Sequence, residues 1–233
     1  MYYCFDILIA NDQFESLLGQ FSEKSTNGMK ASLLAYLKEY HPNNKEYFRM
    51  TCSHFLLWDE LAVMWQEESQ AKIDYIVLNE INLAKTVKQQ TIDVPYLKSS
   101  KQLIIDLYEI VDEIVHASEL CLLENKIDLA MKIAISGELV AMQIHLLKLK
   151  INTSEELCVS ILKIKDYSIF EYIINYELIV PQAMILSRAY RFEIDYVKCL
   201  YTHVITSGNE TYLKDFVNRL DLTDDMIESL VTM

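Results

Sequence analysis

The chain has 233 residues, enough for one large domain or a short helical array, and 52% of them are apolar. Its net charge of −13 excludes nucleic acid as a partner, because a phosphate backbone needs clustered Lys and Arg, and excludes docking on anionic lipid by charge alone. It has four glycines and three prolines, where ordinary usage would make these about 12% of a chain; a sheet protein needs more turn residues than that, so an all-α fold is expected.

In chain order, the segment Tyr2 to Ala10 is apolar almost from its first residue. Free termini are seldom so apolar, which predicts a piece of a longer chain, as does the end Leu230-Val231 before Met233. A helical pair follows, Phe14 to Gly19 and Met29 to Tyr40, with Leu33, Leu34 and Leu37 as the buried stripe of the second helix. His41-Pro42-Asn43-Asn44 is a break, and either asparagine can cap the next helix. From Lys45 to Glu68, Phe48, Cys52, Phe55, Leu56, Leu61, Met64 and Trp65 keep helical spacing, with a phase change near Trp58-Asp59 that predicts two helices.

Ala71 to Gln89 is expected as a further helix closed by Val94-Pro95. The longest pattern runs from Leu97 to about Glu124, with Leu103, Leu107, Ile110, Ile114 and Cys121 on one face and Asp106, Glu109, Asp112, Glu113 and Glu119 on the other. A helix from about Ile127 to Lys148 carries Gly137, which costs ~1 kcal/mol there unless a neighbouring backbone approaches closely. The rhythm then shortens to Glu155–Lys163, Ile169–Glu177, Gln182–Tyr190, Asp195–Thr206, Glu210–Leu220 and Asp224–Val231. Thr153 or Ser154, Ser168 and Thr223 stand where N-caps are wanted, and Gly208-Asn209 ends one helix and starts the next. Short helices joined by brief turns form hairpins, and stacked hairpins form an α-solenoid, with an irregular helical bundle as the alternative. The chain is expected as one domain, 1–233, with a possible sub-division into 1–95 and 96–233.

The search for chemistry yields no catalytic, cofactor-binding or metal residues. Four scattered glycines cannot build a phosphate cradle, and no G-x-S-x-G elbow is present. Glu113 and His116 form an E-x-x-H pair without a second such pair, so a solvated face is the reading preferred over a di-iron site. Glu109, Asp112 and Glu113, like Glu67-Glu68, share one environment, whereas paired catalytic carboxylates need unlike ones. Among the histidines, His41, His116 and His203 show no metal spacing, and His54 and His145 are expected as hydrogen-bonded core residues.

Five cysteines, Cys4, Cys52, Cys121, Cys158 and Cys199, form no C-x-x-C pair; each sits in an apolar stretch, as a small hydrophobe would in a reducing cytosol. The sequons at Asn152 and Asn209 are then idle. The most apolar run, Ile133 to Leu147, is interrupted by Glu138, Gln143 and His145 and falls short of a membrane span; no signal peptide is visible, and the chain reads as soluble. Tyr167, Phe170, Tyr172, Tyr190, Phe192, Tyr196, Tyr201 and Tyr212 fall in the short-helix region, most of them expected to pack between hairpins and a minority to face a partner.

Ordered across nearly the whole chain are Met1-Tyr2-Tyr3-Cys4-Phe5 with Phe14 to Leu17, Lys30 to Leu37, Tyr47 to Phe55, Glu60-Leu61-Ala62 and, most closely matching, Leu139 to Leu147. Ala189 to Phe192, Leu200-Tyr201, Val204-Ile205 and Gly208 through Phe216 follow, while Asn79 to Ser99 contributes nothing. In this order the chain resembles the C-terminal region of the spatacsin family. The resemblance implies a very large cytosolic protein with helical solenoids, of which this is the C-terminal part. It implies spastizin and the fifth adaptor-protein complex as partners, at late endosomes and lysosomes, in lysosome reformation and Golgi retrieval. Loss of function in that family is linked to hereditary spastic paraplegia. No catalytic or cofactor residue is implied, and membrane association would come through partners. Two other readings remain: a helical module of another vesicle-tethering complex with a Sec1/Munc18-type partner, and a helical lipid-binding domain or enzyme.

Overall fold

The computed structural model describes residues 2–20, 27–83 and 93–233. Among them are twelve α-helices, one π-helical turn and three short strands, so the chain is all-α with a small sheet added. It divides into two compact units: 1–65 with 116–130, and 66–115 with 131–233.

In the first unit α1 (Tyr2–Ala10), α2 (Phe14–Gln20), α3 (Asn27–Tyr40) and α4 (Lys45–His54) pack together, α1 on α2 and α3, and α4 on both α2 and α3. Their core is Phe5, Phe14, Leu17, Leu18, Leu33, Tyr36 and Leu37; Leu34 is half-buried against a second cluster around Cys52, Leu61 and Met64. Asn44 caps α4, its side-chain oxygen accepting the Tyr47 amide at 3.3 Å. Between α4 and α5 (Trp58–Glu80) the chain turns at Leu56, which is 63% exposed with φ 55°, not part of a helical face. The predicted phase change is thus a real break. No break occurs before Ala71: α5 runs unbroken to Glu80, because nothing from Gln66 to Gln70 removes an amide or favours a turn. The rest of the helix expected to reach Gln89 is strand β1 (Ile81–Leu83) and then lies outside the described residues.

The second unit holds the sheet, ordered β1-β2-β3 and antiparallel throughout. Strand β2 (Pro95–Lys98) pairs Leu97 with Ile81 on one side and with Cys158 of β3 (Leu157–Val159) on the other. Pro95 opens its strand, where a missing donor is tolerated, and its carbonyl accepts the Ser160 amide at 2.8 Å. Leu97 therefore lies on a strand, and α6 begins later, at Lys101 (Lys101–Leu123), with Ser100 Oγ accepting the Leu103 amide at 3.1 Å. The expected apolar face of α6 is the buried one: Leu103, Leu107, Ile110, Ile114 and Cys121 are all at most 4% exposed. Within α7 (Ile127–Asn152), Gly137 meets a side chain where a backbone was expected, for a β-carbon there would stand 3.1 Å from Ile114 Cγ2.

The segment Glu155–Lys163, expected as a helix, is the clearest difference. Ser154 and Lys163 take left-handed φ of 60° and 57°, and the apolar run between them forms β3 and two turns. After it come α8 (Tyr167–Tyr176), α9 (Val180–Tyr190), α10 (Tyr196–Leu200), the π turn Tyr201–Thr206, α11 (Glu210–Val217) and α12 (Asp224–Thr232). Asp166, not Ser168, caps α8 by accepting the Ser168 amide at 2.8 Å. Asn209 and Thr223 cap α11 and α12, and Gly208 takes φ 66° between helices.

Candidate functional site

The second unit contains a buried polar clamp built from α7, β3 and α9. Gln143 is completely buried in the middle of α7's apolar run. Its Nε2 donates to the Val159 carbonyl at 3.1 Å, and its Oε1 accepts the Ile161 amide at 2.8 Å. A side-chain amide thereby replaces the strand that would otherwise pair with β3's outer edge. From α9, Tyr190 donates to the Ile161 carbonyl at 2.7 Å and accepts the Ile164 amide at 3.1 Å; burial pushes its phenol up to about 12. Sequence reasoning treated Gln143 only as an interruption of an apolar stretch. A lone amide inside such a stretch is the signal that could have marked it, since a buried amide demands partners. Tyr190 had no comparable signal.

Beside the sheet, Tyr96 donates toward Glu177 Oε1 at 3.4 Å. Burial holds the Glu177 carboxyl above the usual range, against the opposing pull of Lys150 and the Tyr96 bond. On the π turn, His203 stacks on Tyr212 with ring centroids 4.0 Å apart and its Nε2 is 3.3 Å from the Ile174 carbonyl. Burial depresses the imidazole. The nearby Cys199 thiol, fully buried, is pushed by burial up to about 12, which disfavours the thiolate. Cys52 and Cys158 are buried and shifted to about 12 in the same way; Cys121 is buried and Cys4 exposed. Cys158 lies on a strand, and its thiol stays a core group there.

The acidic candidates separate. Glu109 is exposed, but the Glu113 side chain is only 12% exposed and bonds Lys72 Nζ at 2.6 Å, so it is no solvated face. His116 turns away, exposed, 3.6 Å from Glu119. Glu67 is exposed and Glu68 buried. His54 and His145 are both exposed, contrary to the core position expected, because their apolar neighbours occupy the other faces of α4 and α7. Of the aromatic residues, Phe170 and Tyr212 are fully buried, Tyr172, Tyr190, Phe192, Tyr196 and Tyr201 half-buried, and Tyr167 44% exposed. The polar groupings around Gln143 and Tyr190 therefore fasten backbone and helices together.

The family model described as "Spatacsin C-terminus" matches residues 1–233. A curated relative, Spatacsin of Mus musculus, is 25% identical over 230 residues, covering 99% of this chain and 9% of the relative's length. The chain thus spans about a tenth of that relative. No solved structure matches.

Proposed function

The chain belongs to the spatacsin family, in its C-terminal region, and from that premise we propose that it is a non-enzymatic scaffold segment that binds partner proteins in endolysosomal trafficking. The match of the family model to all 233 residues carries the reading. The buried, raised thiols and the backbone-holding roles of Gln143 and Tyr190 support it, because these side chains are engaged in structure. In the finer reading, the helices are hairpins of an α-solenoid: the neighbouring pairs α1–α2 and α3–α4 and the short helices α8 to α12 suit a stack of this kind. The partners would be spastizin and subunits of the fifth adaptor-protein complex, at late endosomes and lysosomes during lysosome reformation. No helix among the described residues is long and apolar enough to cross a membrane, which suits recruitment through partners.

The test is affinity capture of the tagged chain from cultured cells, read by mass spectrometry. Enrichment of spastizin with adaptor subunits is the expected result. Enrichment of a Sec1/Munc18-type protein would favour a different tethering complex, and a co-purifying lipid in native mass spectra would favour a lipid carrier.

A further inference from the structure

The last helix leaves part of its apolar side open. None of the residues of α12 is buried; Met226 and Leu230 are half-buried, while Ile227 is 43% and Val231 82% exposed. Residues four apart share a face, so Ile227 and Val231 form a short strip beside the Met226–Leu230 edge. Asp224 and Glu228, again four apart, border that strip on its other side. A helix of nine residues does not persist alone in water. Here it is held by its Thr223 cap, which accepts the Met226 amide at 3.3 Å, and by packing on α10.

The helix dipole accounts for Asp224 and Asp225 in the first turn. It does not account for Glu228 in the middle or Asp221 before the start. None of these four carboxylates makes an ion pair among the described residues, where Asp59, Asp74, Glu113, Glu138, Glu155 and Glu171 do. An aliphatic strip with an unneutralised acidic border selects its occupant by charge. Anionic membrane is repelled by it, and a second copy docked through the same strip would set carboxylate against carboxylate.

We propose that α12 is a docking ridge for a basic amphipathic helix of a partner protein, whose aliphatic side chains cover Ile227 and Val231 and whose Lys or Arg residues lie along Asp224 and Glu228. The ridge rests on the reading of the chain as a protein-binding segment and adds the chemistry of one partner surface. Because Asp224, Glu228 and Val231 are exposed, substitutions at these positions are expected to keep the fold, which circular dichroism verifies.

The experiment titrates the full chain against a fluorescein-labelled synthetic helix of about 15 residues with leucines at i, i+3, i+4 and i+7 and lysines beside them. A second peptide carries glutamate for each lysine. The lysine peptide binds saturably and the glutamate peptide does not. Val231→Ser weakens the lysine peptide about tenfold, and the pair Asp224→Lys and Glu228→Lys inverts the preference between peptides. Unchanged affinity in the charge-reversed variant overturns the ridge, as does loss of a self-dimer in Val231→Ser, which would make the occupant a second copy. Binding of phosphatidylcholine vesicles in place of the peptide overturns it as well. If spastizin is still captured undiminished by both variants, the ridge fails while the functional reading stands.

Discussion

The side-chain oxygen of Gln143 accepts the backbone amide of Ile161 at 2.8 Å inside the core. With the bond from Nε2 to the Val159 carbonyl and the pairing of β3 on β2, it holds the segment Glu155–Lys163 out of the helix expected there. Removing it leaves the buried Ile161 amide without this acceptor and the Val159 carbonyl with the weak Cys158 thiol donor at 3.4 Å.

Gln143→Leu should therefore cost about 2–4 kcal/mol, since each stranded backbone group carries about 1–3 kcal/mol of desolvation. Gln143→Glu should cost more, because it turns the donor facing the Val159 carbonyl into an acceptor and buries charge. Urea denaturation followed by far-ultraviolet circular dichroism measures both. A change below about 0.5 kcal/mol, the range of ordinary surface substitutions, would show that the clamp is dispensable.

The legibility of the fold divides along this feature. The helices were readable wherever one face was apolar, as in α6, whose Leu103 to Cys121 stripe is buried as its spacing demands. Caps with a side-chain oxygen, Asn44, Asn209 and Thr223, were readable too. The sheet was not, because Leu157–Val159 is extended through its pairing with distant β2 and the bonds from Gln143, and local pattern carries no trace of partners so far away. Turns were under-read for a related reason: Leu56, Lys163 and Arg191 adopt left-handed φ where glycine was the residue sought. At the level of side chains, Glu113 was read as wet because it lies in an acidic run, and Lys72 forty-one residues away decides otherwise.

Left-handed backbone at an exposed leucine is strained by roughly 1–2 kcal/mol, of which glycine's extra chain entropy returns about 0.5–1 kcal/mol. Leu56→Gly should accordingly stabilise the first unit by about 0.5–1 kcal/mol. Thermal unfolding of the variant measures it, and a lower melting temperature would mean that Leu56 contributes packing despite its exposure.

Gly137 and Ile114 should be coupled. Alanine at 137 gains about 1 kcal/mol of helix propensity but sets its β-carbon 3.1 Å from Ile114 Cγ2. Gly137→Ala should be neutral or destabilising alone, and stabilising by about 1 kcal/mol in an Ile114→Ala background. Additivity across this double-mutant cycle would show that the glycine has no steric role.

Glu109 and Glu113 should respond unequally to charge reversal. Glu109→Lys is expected within about 0.5 kcal/mol of the parent. Glu113→Lys places an ammonium against Lys72 where the Glu113 side chain is only 12% exposed, and should cost about 1–2 kcal/mol. Equal effects in chemical denaturation would contradict the distinct, largely covered position of Glu113.

Glu177 supplies a pH dependence of definite sign. Burial raises its carboxyl in the folded state above its ordinary value of 4.5, so the folded chain binds the proton more tightly than the unfolded one. Stability tied to this group is full below pH 4.5 and falls as pH rises through the raised folded value. Glu177→Gln should melt higher than the parent at pH 7, with the difference narrowing as pH is lowered toward 4.5. A difference that widened on acidification would reverse the assignment.

The most direct test of the central claim, a chain that works by binding protein and not by chemistry, is the equilibrium affinity of the purified chain for purified spastizin. Interferometry with the chain immobilised should give saturable binding with a Kd tighter than about 10 μM, unchanged by added nucleotide or metal chelator. Absence of saturation at that concentration, with the chain folded by circular dichroism, would contradict it.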